Sequence, residues 1–354
     1  MITYIIRRLL LVPLLLFGVT VLIFAMLQFL DPVERSALYV RDVPKNDKQI
    51  EGIIKRYKLD RPLYEQYWMW LVGSVDSATG KRSGGILFGD FGYSRTGAQP
   101  VSELIGTRFP NTLDLTIWAV APVILVGIWL GVQAAVHQNT IIDQAARIFS
   151  IVGTSFPTFV FGLLMLMLFY VQLGWFPPGR MSDATSIIVR SEGFHTYTSL
   201  LTFDALLNGR FDVFLDALRH MAMPILTLSY ISWATFVRVT RSSMLETLRM
   251  EYVTTARAKG LSEHDVIFKH AQPNAMIPVV TMAGLEVVIL LGGVVITETV
   301  FNYPGIGQAA ATAAAQLDVI TVLGFALFNG FILIVANLVV DILYAVVDPR
   351  VRLS

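Results

Sequence analysis

The chain lacks cysteine and has few charged residues. The absence of cysteine among its 354 residues excludes disulfide bonds, thiolate nucleophiles and thiolate-bound zinc or iron–sulfur clusters. Only 15% of the residues are charged, against about 25% in a typical soluble domain. The formal net charge of +1 disfavours a nucleic-acid partner, because such partners are bound by strongly basic faces. This composition favours a membrane protein.

Motifs for catalysis and nucleotide binding are also missing. The sequence contains no phosphate-binding loop of the form GxxxxGK[ST], and its five histidines show no HExxH or other metal-ligand spacing. The stretch Gly305–Ala310 superficially resembles a dinucleotide-binding fingerprint, but no strand of a βαβ unit precedes it, so we interpret it as a turn. We therefore expect no catalytic residue, no metal and no cofactor on this chain.

Six apolar runs are long enough to cross a membrane. About 20 helical residues span the roughly 30 Å of hydrocarbon in a bilayer. Because lipid cannot hydrogen-bond the backbone, each run is predicted to be a helix, which makes the fold an all-α membrane protein. The first run is too long for a typical signal peptide, and no Ala-x-Ala cleavage site follows it. The predicted spans are Leu9–Leu30, Leu113–Val136, Ile148–Val171, Met221–Val237, Ile277–Ile296 and Val319–Val347.

The charges of the loops predict that both termini are cytoplasmic. Arg7 and Arg8 flank the first span, and residues 238–274 carry six basic against four acidic side chains. Residues 31–111 hold twelve lysines and arginines yet fall outside, although loops beyond about 60 residues largely escape the charge rule. The predicted organisation is a first span in 1–30, an outer region in 31–112, a five-helix core in 113–347 and a cytoplasmic tail in 348–354. The core includes a second outer segment, 172–220, and a cytoplasmic segment, 238–274.

The first outer region is predicted to be compact, because aromatic and aliphatic residues such as Tyr67 and Trp70 anchor it. Two short helices are expected, Ile50–Tyr57 and Pro62–Val72, with Pro62 in the first turn. The glycine-rich tract Gly80–Gly92 is predicted to be a loop.

The cytoplasmic stretch Glu251–Ser262 is short, polar and basic, and it lies between two apolar runs. Ala256 and Gly260 are four residues apart and share one face if the stretch is helical. Such a helix suits the groove of a soluble partner. The alternative is an amphipathic helix that lies on acidic lipid.

Two carboxylates fall within predicted spans. Glu286 lies near the middle of the fifth span, where a charge costs several kcal/mol unless it is paired or hydrated, so we expect it either in the translocation path or beside a basic residue. Asp114, near the outer end of the second span, is a weaker candidate for the path and suits an interfacial or capping position. Gly127 with Gly131, and the pair Gly292–Gly293, are spaced for close helix packing.

Several motifs, in order and along most of the chain, resemble the B-type integral-membrane permease subunit of an ATP-binding-cassette importer of the dipeptide and oligopeptide group. They are Tyr4–Pro13, Leu59–Tyr67, Phe88–Ser94, Arg108–Leu113, Arg241–Glu246, Tyr252–Gly260, His270–Asn274, Glu298–Gly307 and Asp341–Arg350. In the wider importer family the cytoplasmic signature is Glu-Ala-Ala, three residues, Gly. Here Thr254 and Thr255 replace its Glu and first Ala, a departure common in the peptide group.

The resemblance implies the following machine. The chain pairs with a homologous second permease in a prokaryotic inner membrane, receives solute from an extracytoplasmic binding protein, and moves it by alternating access. Two partner subunits bind and hydrolyse ATP with magnesium. The implied solute is a di- or oligopeptide, although the same machinery imports nickel, glutathione or oligosaccharide in relatives. The residues implied to couple to the ATPase are Glu251, Tyr252, Thr255, Ala256, Arg257, Lys259, Gly260 and Leu261.

Two other classes were weighed. A stand-alone channel or secondary transporter would be expected to show buried charge relays or inverted repeats with broken helices, and beyond Glu286 the sequence shows no such relay. A membrane enzyme is disfavoured by the missing motifs.

Overall fold

Helices dominate the part of the chain that the structure describes. A computed structural model of the protein describes residues 2–31, 35, 47–56, 59–75 and 82–347. The chain divides into two compact units, Met1–Pro110 with Gly305–Leu338, and Asn111–Pro304 with Val339–Ser354. Within the described residues, four helices are long and apolar enough to cross a membrane, and two bent helix pairs would raise the number to six if each pair forms one span. The fold is thus a helical membrane protein, as the sequence predicts.

The first unit contains the N-terminal helix and most of the C-terminal helix. Its helices are α1 (Ile2–Leu27), α2 (Asp47–Arg56), α3 (Leu63–Val72), the beginning of α4 (Val101–Val136), α15 (Ile306–Ala315) and most of α16 (Val319–Val347). Two small antiparallel sheets pair β1 (Ser74–Val75) with β2 (Arg82–Ser83) and β3 (Tyr93–Ser94) with β4 (Gln99–Pro100). Ile23 and Leu27 of α1, Trp70 of α3, and Leu323 and Leu327 of α16 form one core cluster.

Part of the region predicted to be compact packs against α1, and its outer location stays a prediction. Tyr67 packs edge-on against Phe24, and its hydroxyl is 2.8 Å from the Thr20 hydroxyl of α1. The helices predicted from Ile50 and Pro62 correspond to α2 and α3, and Pro62 is the residue before α3 rather than part of its first turn. A 3₁₀ turn (Ile86–Phe88) and β2 interrupt the predicted glycine-rich loop; Tyr57 and residues 76–81 lie outside the described residues.

A buried carboxylate fixes the start of α16. Asp318 Oδ2 accepts from the backbone N–H of Thr96 at 2.9 Å and from the Thr321 hydroxyl at 2.6 Å. Burial alone would raise the pKa of Asp318, but these hydrogen bonds outweigh it and lower the pKa. The carboxylate therefore joins the β3–β4 turn to the N-terminus of α16 within the first unit.

The second unit is built around two long helices, the rest of α4 and α9 (Phe211–Thr247). Its other elements are α5 (Ile141–Ser155), α6 (Thr158–Met165) with its π-helical extension Leu166–Gln172, α7 (Asp183–Val189), α8 (Leu201–Leu207), α10 (Glu251–Ala258), α11 (Glu263–Asp265) with the π-helical turn Val266–Ala271, α12 (Gln272–Ala275), α13 (Ile277–Leu291) and α14 (Val295–Val300). A Cβ at Gly127 would lie 2.6 Å from the Phe236 Cβ, and one at Gly131 would lie 2.5 Å from the Thr240 Cβ. The predicted close packing at these two glycines is confirmed.

One expectation about the spans was wrong. The third span is not continuous, because α5 and α6 meet at 105° at Phe156–Pro157. Proline lacks an N–H and pushes the preceding residue out of the helical region, and Phe156 accordingly has φ −88° and ψ 125°. Gly292 and Gly293 follow the end of α13, and Gly293 has φ +94°; their predicted role in close helix packing stays a prediction. Residues 211–220 of the predicted second outer segment form the first part of α9.

Candidate coupling site and buried carboxylates

The predicted coupling segment forms the short helix α10, which rests on the turn that follows it. Val253 is fully buried and Ala256 is 7% exposed, and both pack with Val266 and Ala271 in one hydrophobic cluster. Leu248, just before α10, packs against the same cluster. The apolar face of the helix therefore packs against the rest of the second unit. A force on its exposed face would be transmitted to the elements against which it packs.

The other predicted coupling residues are exposed on the surface of the chain. Tyr252 and Leu261 are 42% and 41% exposed. The exposed members of the predicted set are Glu251, Tyr252, Thr255, Arg257, Lys259, Gly260 and Leu261. The arrangement presents a mixed apolar and charged patch on a rigid support.

Ala256 is a correction to the prediction. We expected it to share a partner-facing side with Gly260, but its side chain points into the chain's own core. The four-residue spacing does not place the two on one face, because α10 ends at Ala258 and Gly260 lies beyond it with φ +78°. A left-handed glycine just after a helix is a common way to end it. No atom of this chain lies within 4 Å of a Cβ built on Gly260, so within the chain itself its positive φ is the feature that favours glycine, and its close approach to a partner stays a prediction.

Most charges around α10 are paired within the segment. Arg257 donates to both carboxylate oxygens of Glu263, at 3.1 and 2.7 Å, and this hydrogen-bonded carboxylate raises the pKa of Arg257. Lys269 pairs with Asp265 at 2.5 Å, and the Ser262 hydroxyl accepts from the Asp265 N–H at 3.2 Å. Among the described residues, Lys259 has no ion-pair partner. Of the two basic residues in the predicted coupling set, Arg257 is paired and Lys259 leaves its charge uncompensated.

A buried ion pair that sequence analysis missed joins α5 to the end of α9. Asp143 is fully buried and accepts from Arg241 at 2.5 and 2.9 Å and from Arg147 at 3.2 and 2.7 Å. The backbone N–H of Asn139 donates a further hydrogen bond, at 2.9 Å. The spacing of Asp143 and Arg147, four residues apart at the start of a helix, was a visible signal of the local pair. Nothing in the sequence pointed to Arg241, which is 98 residues away.

The structure gives Glu286 a hydroxyl partner. The Ser232 hydroxyl donates to Glu286 Oε1 at 2.5 Å, which connects α9 to α13. The side chain is half-buried, and among the described residues of this chain no basic group pairs with it. The prediction that Glu286 borders the translocation path stays a prediction.

Asp114 is fully buried within the second unit, and its predicted position near the membrane interface stays a prediction. It accepts from the backbone N–H and the hydroxyl of Thr202, at 3.2 and 2.5 Å, in the first turn of α8. It therefore fits the capping alternative, although the helix that it caps is not its own. In this conformation Asp114 has no exposed surface from which to contact a solute.

A second buried carboxylate lies near Asp114. Glu298 is fully buried and accepts from the Thr112 hydroxyl at 2.7 Å, while Asn111 donates to the Pro304 carbonyl at 2.8 Å. Tyr303, in the same turn, is also fully buried, and burial together with the charge of Asp114 raises the pKa of its phenol. These contacts fasten the turn after α14 to the part of α4 that belongs to the second unit.

The site as a whole defines a class of protein. Within the described residues, no group of three or more His, Asp or Glu side chains is placed to hold a metal. The molecule combines apolar helices of membrane-spanning length with one short, exposed helix on an apolar support. This is the construction of a multi-pass integral membrane protein.

Comparison with known proteins identifies the family. The model of the binding-protein-dependent transport system inner membrane component matches residues 123–353, and the model of the N-terminal part of such components matches residues 1–116. The chain belongs to this family of inner-membrane transport components.

Three curated relatives align along essentially the whole chain. The di/tripeptide transport system permease protein DppB of Pseudomonas aeruginosa (strain UCBPP-PA14) is 39% identical over 99% of this chain and 99% of its own length. The dipeptide transport system permease protein DppB of Escherichia coli (strain K12) is 38% identical over 99% of both chains. The oligopeptide transport system permease protein AppB of Bacillus subtilis (strain 168) is 35% identical over 99% of this chain and 100% of its own length.

Proposed function

We propose that this chain is one of two homologous permease subunits of an ATP-driven importer for di- and oligopeptides. The observation that carries the proposal is the full-length similarity to three permeases of peptide transport systems. ATP and magnesium belong to two partner subunits, and an extracytoplasmic binding protein delivers the peptide. The chain itself catalyses no reaction and contributes half of the translocation path.

In this proposal α10 is the coupling helix. Tyr252, Leu261 and Lys259 contact the ATPase, while Val253 and Ala256 anchor the helix to its own chain. Closure of the ATPases on ATP would displace α10 as a rigid body, because its apolar face is packed and cannot slide independently. The Asp143–Arg241 pair would pass the displacement from the end of α9 to α5.

The orientation follows from the same assignment. The termini and α10 lie on the cytoplasmic side, and residues 31–112 and 172–220 lie on the outer side, where they receive the binding protein. Such an interface should bury roughly 1,000 Å² or more. Cross-linking from residues 172–220 should therefore capture the cognate binding protein.

Reconstitution tests the substrate. The two permeases and the ATPases are placed in liposomes with the binding protein, and uptake of a radiolabelled dipeptide, nickel, glutathione and an oligosaccharide is compared. We expect ATP-dependent uptake of the peptide alone. Uptake of one of the other solutes instead would support the proposed importer but contradict the proposed peptide substrate. Uptake without the ATPases or the binding protein would indicate a stand-alone transporter.

A matched pair of tyrosine variants tests the coupling surface. Tyr252→Ala should reduce peptide uptake and peptide-stimulated ATPase activity roughly tenfold, because an aromatic residue at the centre of an interface commonly contributes about 1–2 kcal/mol. Tyr170→Ala, at a tyrosine that is also 42% exposed and lies on the π-helical extension of α6, is the control and should leave both activities unchanged. If both variants couple like the wild type, α10 is not the docking element.

A further inference from the structure

In its second half, the long helix α9 has one face that the described helices of the second unit leave partly or fully exposed. Successive residues advance by about 100° around a helix, so the contacts of α9 divide its circumference. Its packed residues are Ala234 and Arg241 against α5, Phe236 and Thr240 against α4, and Ser232 and Ser243 against α13 and α12. The remaining face, called here the open face, presents Thr235, Arg238 and Ser242.

The open face is polar, although it lies within a candidate membrane span. Arg238 and Ser242 line a cavity of about 350 Å³ together with Ser150 and Thr154 of α5. An arginine within a membrane-spanning helix normally faces the interior of a bundle or a water-filled space rather than lipid. The open face therefore borders an aqueous space.

Arg238 is the arginine of this cavity that is available to a ligand. Arg147 and Arg241 also line the cavity, but both pair with the buried carboxylate of Asp143. Arg238 is exposed, and among the described residues its side chain has no hydrogen bond and no ion pair. Its charge can therefore bind an anionic group without breaking an existing contact.

A carboxylate lies at the edge of the open face. Ser232, three residues before Thr235, donates a hydrogen bond to Glu286 of α13 at 2.5 Å. Glu286 is half-buried, and no basic side chain among the described residues pairs with it. Ser232 and Arg238 are six residues apart, which corresponds to about 9 Å along the helix axis. The open face thus has a negative group near one end and a positive group near the other.

We propose that the open face binds both termini of a di- or tripeptide, with the ammonium group against Glu286 and the carboxylate against Arg238. The proposal rests on the proposed import of peptides and assigns these two residues of the translocation path. A fully extended chain of two or three residues spans about 7–10 Å, which matches the separation along α9. Hydrogen bonds between charged partners are stronger than those between neutral groups, so the two ends would be recognised together.

Other occupants satisfy the two charges less well. A metal cation would leave Arg238 without a partner, and a neutral sugar would leave both charges unpaired. A helix of the second permease is a poorer fit, because the buried centres of protein interfaces are depleted of charged residues. A peptide with free termini supplies one group of each sign.

Saturation-transfer NMR on the assembled complex of both permeases and the ATPases tests the site. The binding protein is left out, which removes its own selectivity. The probe is trialanine, compared with N-acetyltrialanine, which lacks the ammonium group, and with trialanine amide, which lacks the carboxylate. Each blocked peptide should bind to the wild type roughly tenfold more weakly than trialanine does, since a hydrogen bond to a charged group commonly contributes about this factor or more.

Two variants assign the termini of the peptide. Glu286→Gln should weaken the binding of trialanine and of trialanine amide but leave that of N-acetyltrialanine unchanged. Arg238→Gln should weaken the binding of trialanine and of N-acetyltrialanine but leave that of trialanine amide unchanged. Glu192→Gln and Arg190→Gln, at exposed residues just after α7, are the matched controls and should bind all three peptides as the wild type does. Circular dichroism and size-exclusion chromatography check folding and assembly.

Three outcomes would overturn the inference while leaving peptide import intact. The first is a wild type that gives no trialanine signal or binds the three peptides equally, and the second is a wild-type pattern in both Glu286→Gln and Arg238→Gln. The third is loss of the second permease from the complex in either variant, which would assign the open face to the subunit interface. Import of a non-peptide solute in the uptake assay would instead contradict the proposed function, and the inference with it.

Discussion

At the scale of single residues, Gly260 was predicted partly for the right reason. A glycine at a helix end permits both positive φ and close approach to a partner, and the prediction combined these with a shared face with Ala256. The structure has the positive φ, at +78°, but the helix ends two residues earlier, so the two residues do not share a face. Spacing alone could not reveal this, because the end of a short helix depends on how Val253 and Ala256 pack.

Substitution of Gly260 should therefore act through the backbone. Gly260→Ala should weaken coupling and destabilise the end of α10 by about 1 kcal/mol, because a side chain is strained at positive φ. Gly260→Asn should be closer to the wild type, because asparagine tolerates this conformation better. The measurement is peptide-stimulated ATPase activity together with thermal unfolding of the purified permease. Identical behaviour of the alanine and asparagine variants would contradict a conformational role.

At the scale of elements, apolar length predicted the helices well and their interruptions poorly. The runs that became α1, α4, α9 and α16 were found because lipid-compatible helices need long uninterrupted apolar stretches. The bend at Pro157 was missed although proline gave the signal, since prolines also sit inside continuous helices, as Pro224 does in α9. The contacts between elements, such as Asp143 with Arg241, lie too far apart in sequence to be inferred from pattern.

The Asp143–Arg241 pair should stabilise the junction of α5 and α9 far more than its neighbour Arg147 does. Arg241→Met removes the less exposed of the two arginines that pair with Asp143, and because Arg147 still pairs with this carboxylate, we expect a cost of about 1.5–3 kcal/mol, typical of hydrogen bonds to a charged group. Arg147 is the matched control, because its side chain is 49% exposed and an exposed ion pair contributes about 1 kcal/mol or less. Thermal unfolding in the same detergent should show a large drop in the midpoint for Arg241→Met and a small one for Arg147→Met. Equal drops would mean that Arg241 stabilises the junction no more than Arg147 does.

At the scale of the whole molecule, composition and motif order were sufficient for the class of protein. Scarce charge, absent cysteine and long apolar runs indicated a helical membrane protein, and the ordered motifs indicated the permease family that the comparisons confirm. The number of spans is a harder question, because the bent pairs α5–α6 and α11–α13 each form either one broken span or a re-entrant hairpin. Length and hydropathy do not separate these two arrangements.

Cysteine labelling decides the sidedness of the chain, and the absence of native cysteine makes each introduced thiol the sole target. Ser191, after α7, and Thr254, on α10, are both exposed, so their reactivities report the side of the membrane rather than burial. In right-side-out vesicles an impermeant maleimide should label Ser191→Cys and leave Thr254→Cys unlabelled, and inverted vesicles should give the opposite pattern. Permeabilised vesicles are the control, since both thiols must then react. Labelling of both sites from one side of sealed vesicles would show that an odd number of spans does not separate them, and it would exclude the proposed six-span arrangement.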